Sequence, residues 1–130
     1  LIASTGVFAA GAPTFTLPYG QWRMISLPAT PPGSANTLEK ILGDDMGKNG
    51  KYGENWIVYG YNTESNKYGD PLKKEDKLEK GRGYWIIQLV EKNEPVTLKM
   101  PSGSTVTPDS TPIPLTHGSN QWNLAGNPFA

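Results

Sequence analysis

The sequence predicts an all-β fold: an antiparallel β-sandwich or partly open β-barrel with one short helix. Three observations predict it. First, Gly and Pro number 15 and 12 in 130 residues, more breakers than a helical bundle can carry. Second, several short runs alternate apolar and polar residues, the period of a strand with one wet face. Third, the chain says nearly the same thing twice. Gln21-Trp22-Arg23-Met24-Ile25-Ser26-Leu27-Pro28 and Gln121-Trp122-Asn123-Leu124-Ala125-Gly126-Asn127-Pro128 lie one hundred positions apart and share Gln, Trp and Pro. In each copy a short strand is followed by a Pro that cannot join a ladder. Matching strands near both ends suggest closure by bringing the two into one core.

In chain order, residues 1–13 are expected to be an N-terminal linker or first strand. Residues 14–130 are expected to be a single β-rich module excised from a larger protein. Phe15-Thr16-Leu17-Pro18 reads as an opening strand, and Tyr19-Gly20 as a turn into the first repeat copy. In that copy Trp22, Met24 and Ser26 point one way and Arg23, Ile25 and Leu27 the other. Pro31-Pro32 breaks regular structure. The helix follows: Ser34 or Asn36 is placed to cap, Glu39 sits in capping-box register with Asn36, and Leu38, Ile41 and Leu42 share a face. Gly43 is the expected stop, and 44–55 a polar loop.

Trp56-Ile57-Val58-Tyr59-Gly60-Tyr61 is a strand, and residues 62–66 turn it into Lys67-Tyr68 as a hairpin. Residues 73–80 carry alternating charge, with Leu72 and Leu78 as the anchors, and read as a solvated loop or single turn. The run Tyr84-Trp85-Ile86-Ile87-Gln88-Leu89-Val90 is the most hydrophobic and is the candidate central strand. Val96, Leu98 and Met100 alternate with Thr97 and Lys99 after an Asn93-Glu94 turn. A Ser/Thr/Pro stretch leads to Ile113-Pro114-Leu115 and the second copy.

The ordered set Trp22-Arg-Met-Ile-Ser-Leu-Pro28, Val58-Tyr-Gly-Tyr61, Lys80-Gly-Arg-Gly-Tyr-Trp-Ile86, Ile113-Pro-Leu115 and Trp122-Asn-Leu-Ala-Gly-Asn-Pro128 is similar to a β-rich module of exported bacterial proteins. That module has the shape GWNLISLP, a vY.Y strand, GkGYWi, then i.L..GWNLIGNP. The resemblance covers residues 15–129, with Gln21 and Gln121 in place of Gly, and Ala125 in place of a larger aliphatic. It implies secretion or cell-surface display as an accessory part of a larger protein. It brings no shared catalytic site. The module's hallmarks also place Trp22, Trp85 and Trp122 in the structural core.

Composition narrows the chemistry. Lys plus Arg equals Asp plus Glu, for zero net charge, so no basic surface exists to hold a nucleic acid by counterion release or to bind an anionic membrane. No apolar run approaches the roughly 20 residues of a spanning helix, so no membrane insertion is expected. Cysteine is absent, which removes disulfides, thiolate metal sites and cysteine nucleophiles.

His117 is the sole histidine. A Ser-His-Asp arrangement would need it with Ser104, Ser110 or Ser119 and Asp109, but no nucleophile elbow exposes a serine. One histidine is also too few for zinc. Residues 44–50 resemble a calcium loop but fail as an EF-hand, because Gly47 and Trp56 fall where oxygen ligands are needed. An irregular calcium site from Asp44, Asp45 and Glu54 is the weaker alternative to a hydrophilic loop, so no cofactor is expected. The remaining acids, such as Glu75, Asp76, Glu79, Glu91 and Glu94, lie in charged turns rather than as an evident glycosidase pair.

The aromatics carry the functional expectation. Only one face of the strand at 56–61 can enter a thin core. Tyr52, Trp56, Tyr59, Tyr61 and Tyr68, beside polar hairpin residues, are therefore the candidate ligand-binding set. Exposed rings next to amides and carboxylates suit a sugar or a protein partner. The expectation is a non-catalytic attachment module that meets a polysaccharide or cell-surface component. A structural or adhesive domain is the alternative, and a small hydrolase with paired carboxylates a second.

Overall fold

The computed structural model describes residues 14–106, 112, 113, 115 and 123–126. Among them the fold is all-β and antiparallel, with no sheet closed into a barrel. A four-stranded sheet runs in the order β2-β6-β4-β5, built from β2 (Arg23–Ile25), β6 (Tyr84–Gln88), β4 (Trp56–Asn62) and β5 (Lys67–Tyr68). A ribbon pairs β1 (Thr14–Leu17) with β7 (Val96–Lys99), and a shorter one pairs β3 (Ala29–Thr30) with β8 (Thr105–Val106). The hydrophobic run at 84–88 does lie between two partner strands.

One core joins these layers. Trp56, Val58, Tyr84 and Ile86 from the inner face of the large sheet pack in one cluster with Leu17, Val96 and Leu98 of the β1–β7 ribbon. Ile25 and Leu27 of the first repeat copy, Leu38, Ile41, Leu42 and Met46 from the helical stretch and Leu78 from the charged loop complete it. The alternation read in β7 holds, since Val96 and Leu98 are buried while Thr97 and Lys99 are exposed.

The helical stretch departs from expectation in two ways. It continues past Gly43 as a π-type turn, Glu39–Gly43, followed by a 3-10 turn, Asp44–Met46. Gly43 has an ordinary helical φ of −61°, and the left-handed φ of 67° that ends the run belongs to Gly47, whose N–H bonds to Asp44 O at 3.3 Å. The side-chain cap at the start of the stretch is Thr37, whose Oγ1 accepts Lys40 N–H at 3.4 Å, rather than Ser34 or Asn36. The opening N–H groups of Leu38 and Glu39 donate to Asp76 O (2.8 Å) and Lys74 O (3.0 Å). Thr37 and the charged loop together therefore do the capping that sequence assigned to Ser34 or Asn36.

Gln88 is the one buried polar side chain among the described residues, at 0% exposure. Its amide donates to Glu94 O at 2.9 Å and to Leu17 O at 3.4 Å, and its Oε1 accepts Val90 N–H at 2.8 Å. A fully bonded amide rivets the end of β6 to the end of β1 and to the β6–β7 turn.

The described part of the second repeat copy meets the first across one short segment. β2 pairs with Tyr84, Trp85 and Ile86, while Ala125 bridges to Arg82. Gly83 N–H donates to Leu124 O and Gly126 N–H to Gly81 O, each at 2.9 Å. A side chain at Gly83 would meet Met24 Sδ and Leu124 Cγ, both at 3.1 Å, and one at Gly126 would meet Ser26 Cβ at 2.3 Å. Met24 with Leu124, and Ser26 with Gly126, occupy matching places in the two copies. The copies thus approach one another at equivalent positions.

Candidate functional site

Strand parity divides the aromatic residues into two sets. In β4, Trp56 and Val58 face the core, which leaves Ile57, Tyr59 and Tyr61 on the outer face. The register Tyr59↔Trp85 and Tyr61↔Tyr68 carries that outer face across the sheet, and Met24↔Trp85 extends it to β2. Trp22, one residue before β2, lies on the same side, with its ring centroid 5.9 Å from that of Tyr59.

The outcome is a row of rings across four strands: Trp22, Tyr59, Trp85, Tyr61 and Tyr68. At about 4.8 Å per strand gap the row spans roughly 15 Å. It is held in place by its own contacts. Tyr61 and Tyr68 pack edge-on at 5.2 Å, Trp85 Nε1 donates to the Tyr68 hydroxyl at 2.8 Å, and Tyr61 Oη donates to Asn66 Oδ1 at 3.3 Å. Trp22 is 45% and Tyr68 43% exposed. Pinned rings open to solvent lose little freedom when a ligand covers them.

Two expected site residues belong elsewhere. Trp56 is 3% exposed and part of the core, its Nε1 donating to Gly50 O at 3.3 Å. Tyr52 packs edge-on against Trp56 at 4.7 Å and donates its hydroxyl to Leu72 O at 2.5 Å, and burial raises its phenol pKa. Both are structural, because the parity that exposes Tyr59 and Tyr61 buries Trp56.

The core assignment needs the converse correction. Trp22 and Trp85 stand on the outer face rather than in the core: the neighbouring positions Ile25 and Leu27 in one strand, and Tyr84 and Ile86 in the other, take the buried side. The strand alternation at 22–27 and 84–88 was the signal that places them there. Trp122 and His117 lie outside the described residues, as do Asp109, Ser110 and Ser119.

The calcium candidates are not gathered. Asp45 accepts Lys99 N–H at 2.8 Å through Oδ2, and Glu54 is paired with Lys51. Among the described residues no group of three or more His, Asp or Glu is placed to hold a metal. Burial raises the Asp45 carboxyl pKa, against the lowering effect of the Lys99 N–H and charge.

A cleft of about 550 Å³ opens at the far end of β4. Its walls come from 60–64, 69–72, 77–84, Leu115 and 123–125, so the second repeat copy forms one side. Tyr84 and Leu72 supply apolar surface, while Glu64, Asp70, Glu79, Lys77 and Arg82 supply charge. Arg82 Nε is bonded to Glu79 Oε2 at 2.8 Å.

No family model, no curated protein and no solved structure matches this chain. No helix among the described residues is long and apolar enough to cross a membrane.

Proposed function

We propose that this chain is a non-catalytic recognition module of an exported bacterial protein, and that it binds glycan chains of a polysaccharide or cell surface through the outer aromatic face. The observation that carries the reading is the solvent-open row Trp22–Tyr59–Trp85–Tyr68–Tyr61, rings set at steep angles to one another (59° for Trp22 and Tyr59, 72° for Tyr61 and Tyr68) with phenol hydroxyls among them. C–H faces of sugar rings pack on such rings while hydroxyls and amides bond at the edges. The non-catalytic part rests on the acids. Glu64 and Asp70 are exposed and Glu79 is tied to Arg82, whereas a glycosidase needs a shielded carboxylic acid opposite a second carboxylate.

The test is titration of the domain with neutral oligosaccharides, followed by tryptophan fluorescence. Tyr59→Ala and Trp22→Ala are expected to weaken binding by about three- to tenfold each while costing no more than about 1 kcal/mol of stability. A flat response across a broad glycan panel removes the reading, and release of reducing ends from the glycan removes its non-catalytic part.

Exposed Met24 beside the row, at 45%, favours a second reading, an adhesive protein-contact surface, since Met and aromatic residues are enriched in interfaces. Concentration-dependent association lost in Trp22→Ala, with no glycan response, would select it.

A further inference from the structure

We propose that the cleft at the end of β4 is a second carbohydrate site, one that takes the end unit of a neutral glycan rather than its flat side. The proposal rests on the glycan reading of the outer face but uses different residues apart from Tyr61, which borders both. Its starting point is Tyr84, which lines the cleft yet is only 5% exposed. The Tyr84 hydroxyl accepts Glu79 N–H at 2.8 Å, and its own proton has no acceptor among the described residues. A buried hydroxyl with an undelivered proton costs stability unless something in the cavity accepts it.

The rest of the cleft defines that acceptor. Three acids (Glu64, Asp70, Glu79) against two bases (Lys77, Arg82) leave the wall at −1, which disfavours a carboxylate or phosphate ligand. The Arg82–Glu79 pair satisfies one acid and one base internally. Glu64 and Asp70 remain as acceptors for ligand hydroxyls, and Lys77 as a donor. A group that offers one oxygen to Tyr84 and several hydroxyls to carboxylates, with a C–H face toward Leu72 and the Tyr84 ring, is a neutral sugar. The volume lies within the usual range of ligand sites, about 300–1,000 Å³. A cleft walled on several sides accepts a chain terminus, where the open row accepts the middle of a chain.

The experiment titrates neutral β-1,4-glucan, β-1,3-glucan and β-1,4-xylan hexasaccharides into wild type, Tyr84→Phe, Asp70→Ala and Tyr59→Ala. Tyr84→Phe keeps the buried ring, and Asp70 is exposed, so Asp70→Ala keeps the test open if the first variant folds poorly. Both are expected to weaken binding by about three- to tenfold, while Tyr59→Ala retains measurable affinity. Wild-type affinity in Tyr84→Phe and Asp70→Ala, with loss in Tyr59→Ala, overturns the cleft and leaves the aromatic row standing. Weakening in the two cleft variants with none in Tyr59→Ala supports the cleft and removes the row. No binding of any hexasaccharide by wild type removes both.

Discussion

Gly126→Ala probes the closure of the fold. A Cβ at this position would lie 2.3 Å from Ser26 Cβ and 2.7 Å from Arg82 O, against about 3.5–4.0 Å for carbon atoms in contact. Neither neighbour is the free end of a flexible side chain, so backbone must move. Overpacking of this kind costs about 1–3 kcal/mol. The shift also strains the Gly126 N–H bond to Gly81 O, adding about 1 kcal/mol. The expected total is roughly 2–4 kcal/mol.

With a urea dependence of about 1–3 kcal/mol per molar for a small domain, the midpoint should fall by about 1–2 M. Tryptophan fluorescence in a urea series reads it. Adding Ser26→Gly removes the closer clash and should recover part of the loss, the Arg82 contact remaining. Gly69→Ala, with nothing within 4 Å of the added carbon, should change stability by less than about 0.5 kcal/mol. A wild-type midpoint in Gly126→Ala, or no recovery on adding Ser26→Gly, would refute the pairing of the two repeat copies.

Two further outcomes separate core from surface. Trp56→Ala should cost about 3–5 kcal/mol by denaturation, whereas Tyr59→Ala, half-buried on the outer face, should cost about 1 kcal/mol; equal losses would contradict the assignment of faces. Asp45 has a folded-state pKa above its ordinary value of 3.8, so its favourable contribution is present below the unfolded value and is lost as pH rises through the folded one. Asp45→Asn keeps an acceptor for Lys99 N–H and should match wild type in acid. Toward neutrality its melting temperature should equal or exceed the wild-type value, and a variant less stable there would show that the ionised carboxylate is needed.

How much of this was legible in the sequence differs between fold and site. Alternation at Val96 and Leu98, turn residues such as Asn66 and Asn93, which adopt φ of 53° and 63°, and the breaker content all report local conformation, which local sequence sets. The choice of face is not local. Residues 56–61 carry large apolar side chains on both sides, so parity states that one set is buried without saying which. Packing of Val58 and Ile86 in one core with Leu17 and Leu98 decides it, and that packing involves residues far apart in the chain. The same parity, applied to 84–88, places Gln88 inside with Tyr84 and Ile86 and Trp85 outside. That signal was present but outweighed by the resemblance, whose hallmarks placed Trp85 in the core. The cleft had no local signal, because its walls come from five separate stretches.

The repeat and the candidate site are consequences of one arrangement. Gly81 and Gly83 bond to the second copy, and the same strand continues directly into the residues that pair with the first. Because β6 alternates, adjacent residues Tyr84 and Trp85 serve opposite faces: one lines the cleft and the other joins the row. Trp22 of the first copy stands in the row, and Asn123, Leu124 and Ala125 of the second wall the cleft. Each copy therefore contributes to a different one of these two surfaces, while both are anchored on the same six-residue stretch, 81–86. A small residue is required where they meet, since side chains at 83 and 126 would push the copies apart. The physical demand for close approach at the closure is thus also what fixes the row and the cleft relative to each other.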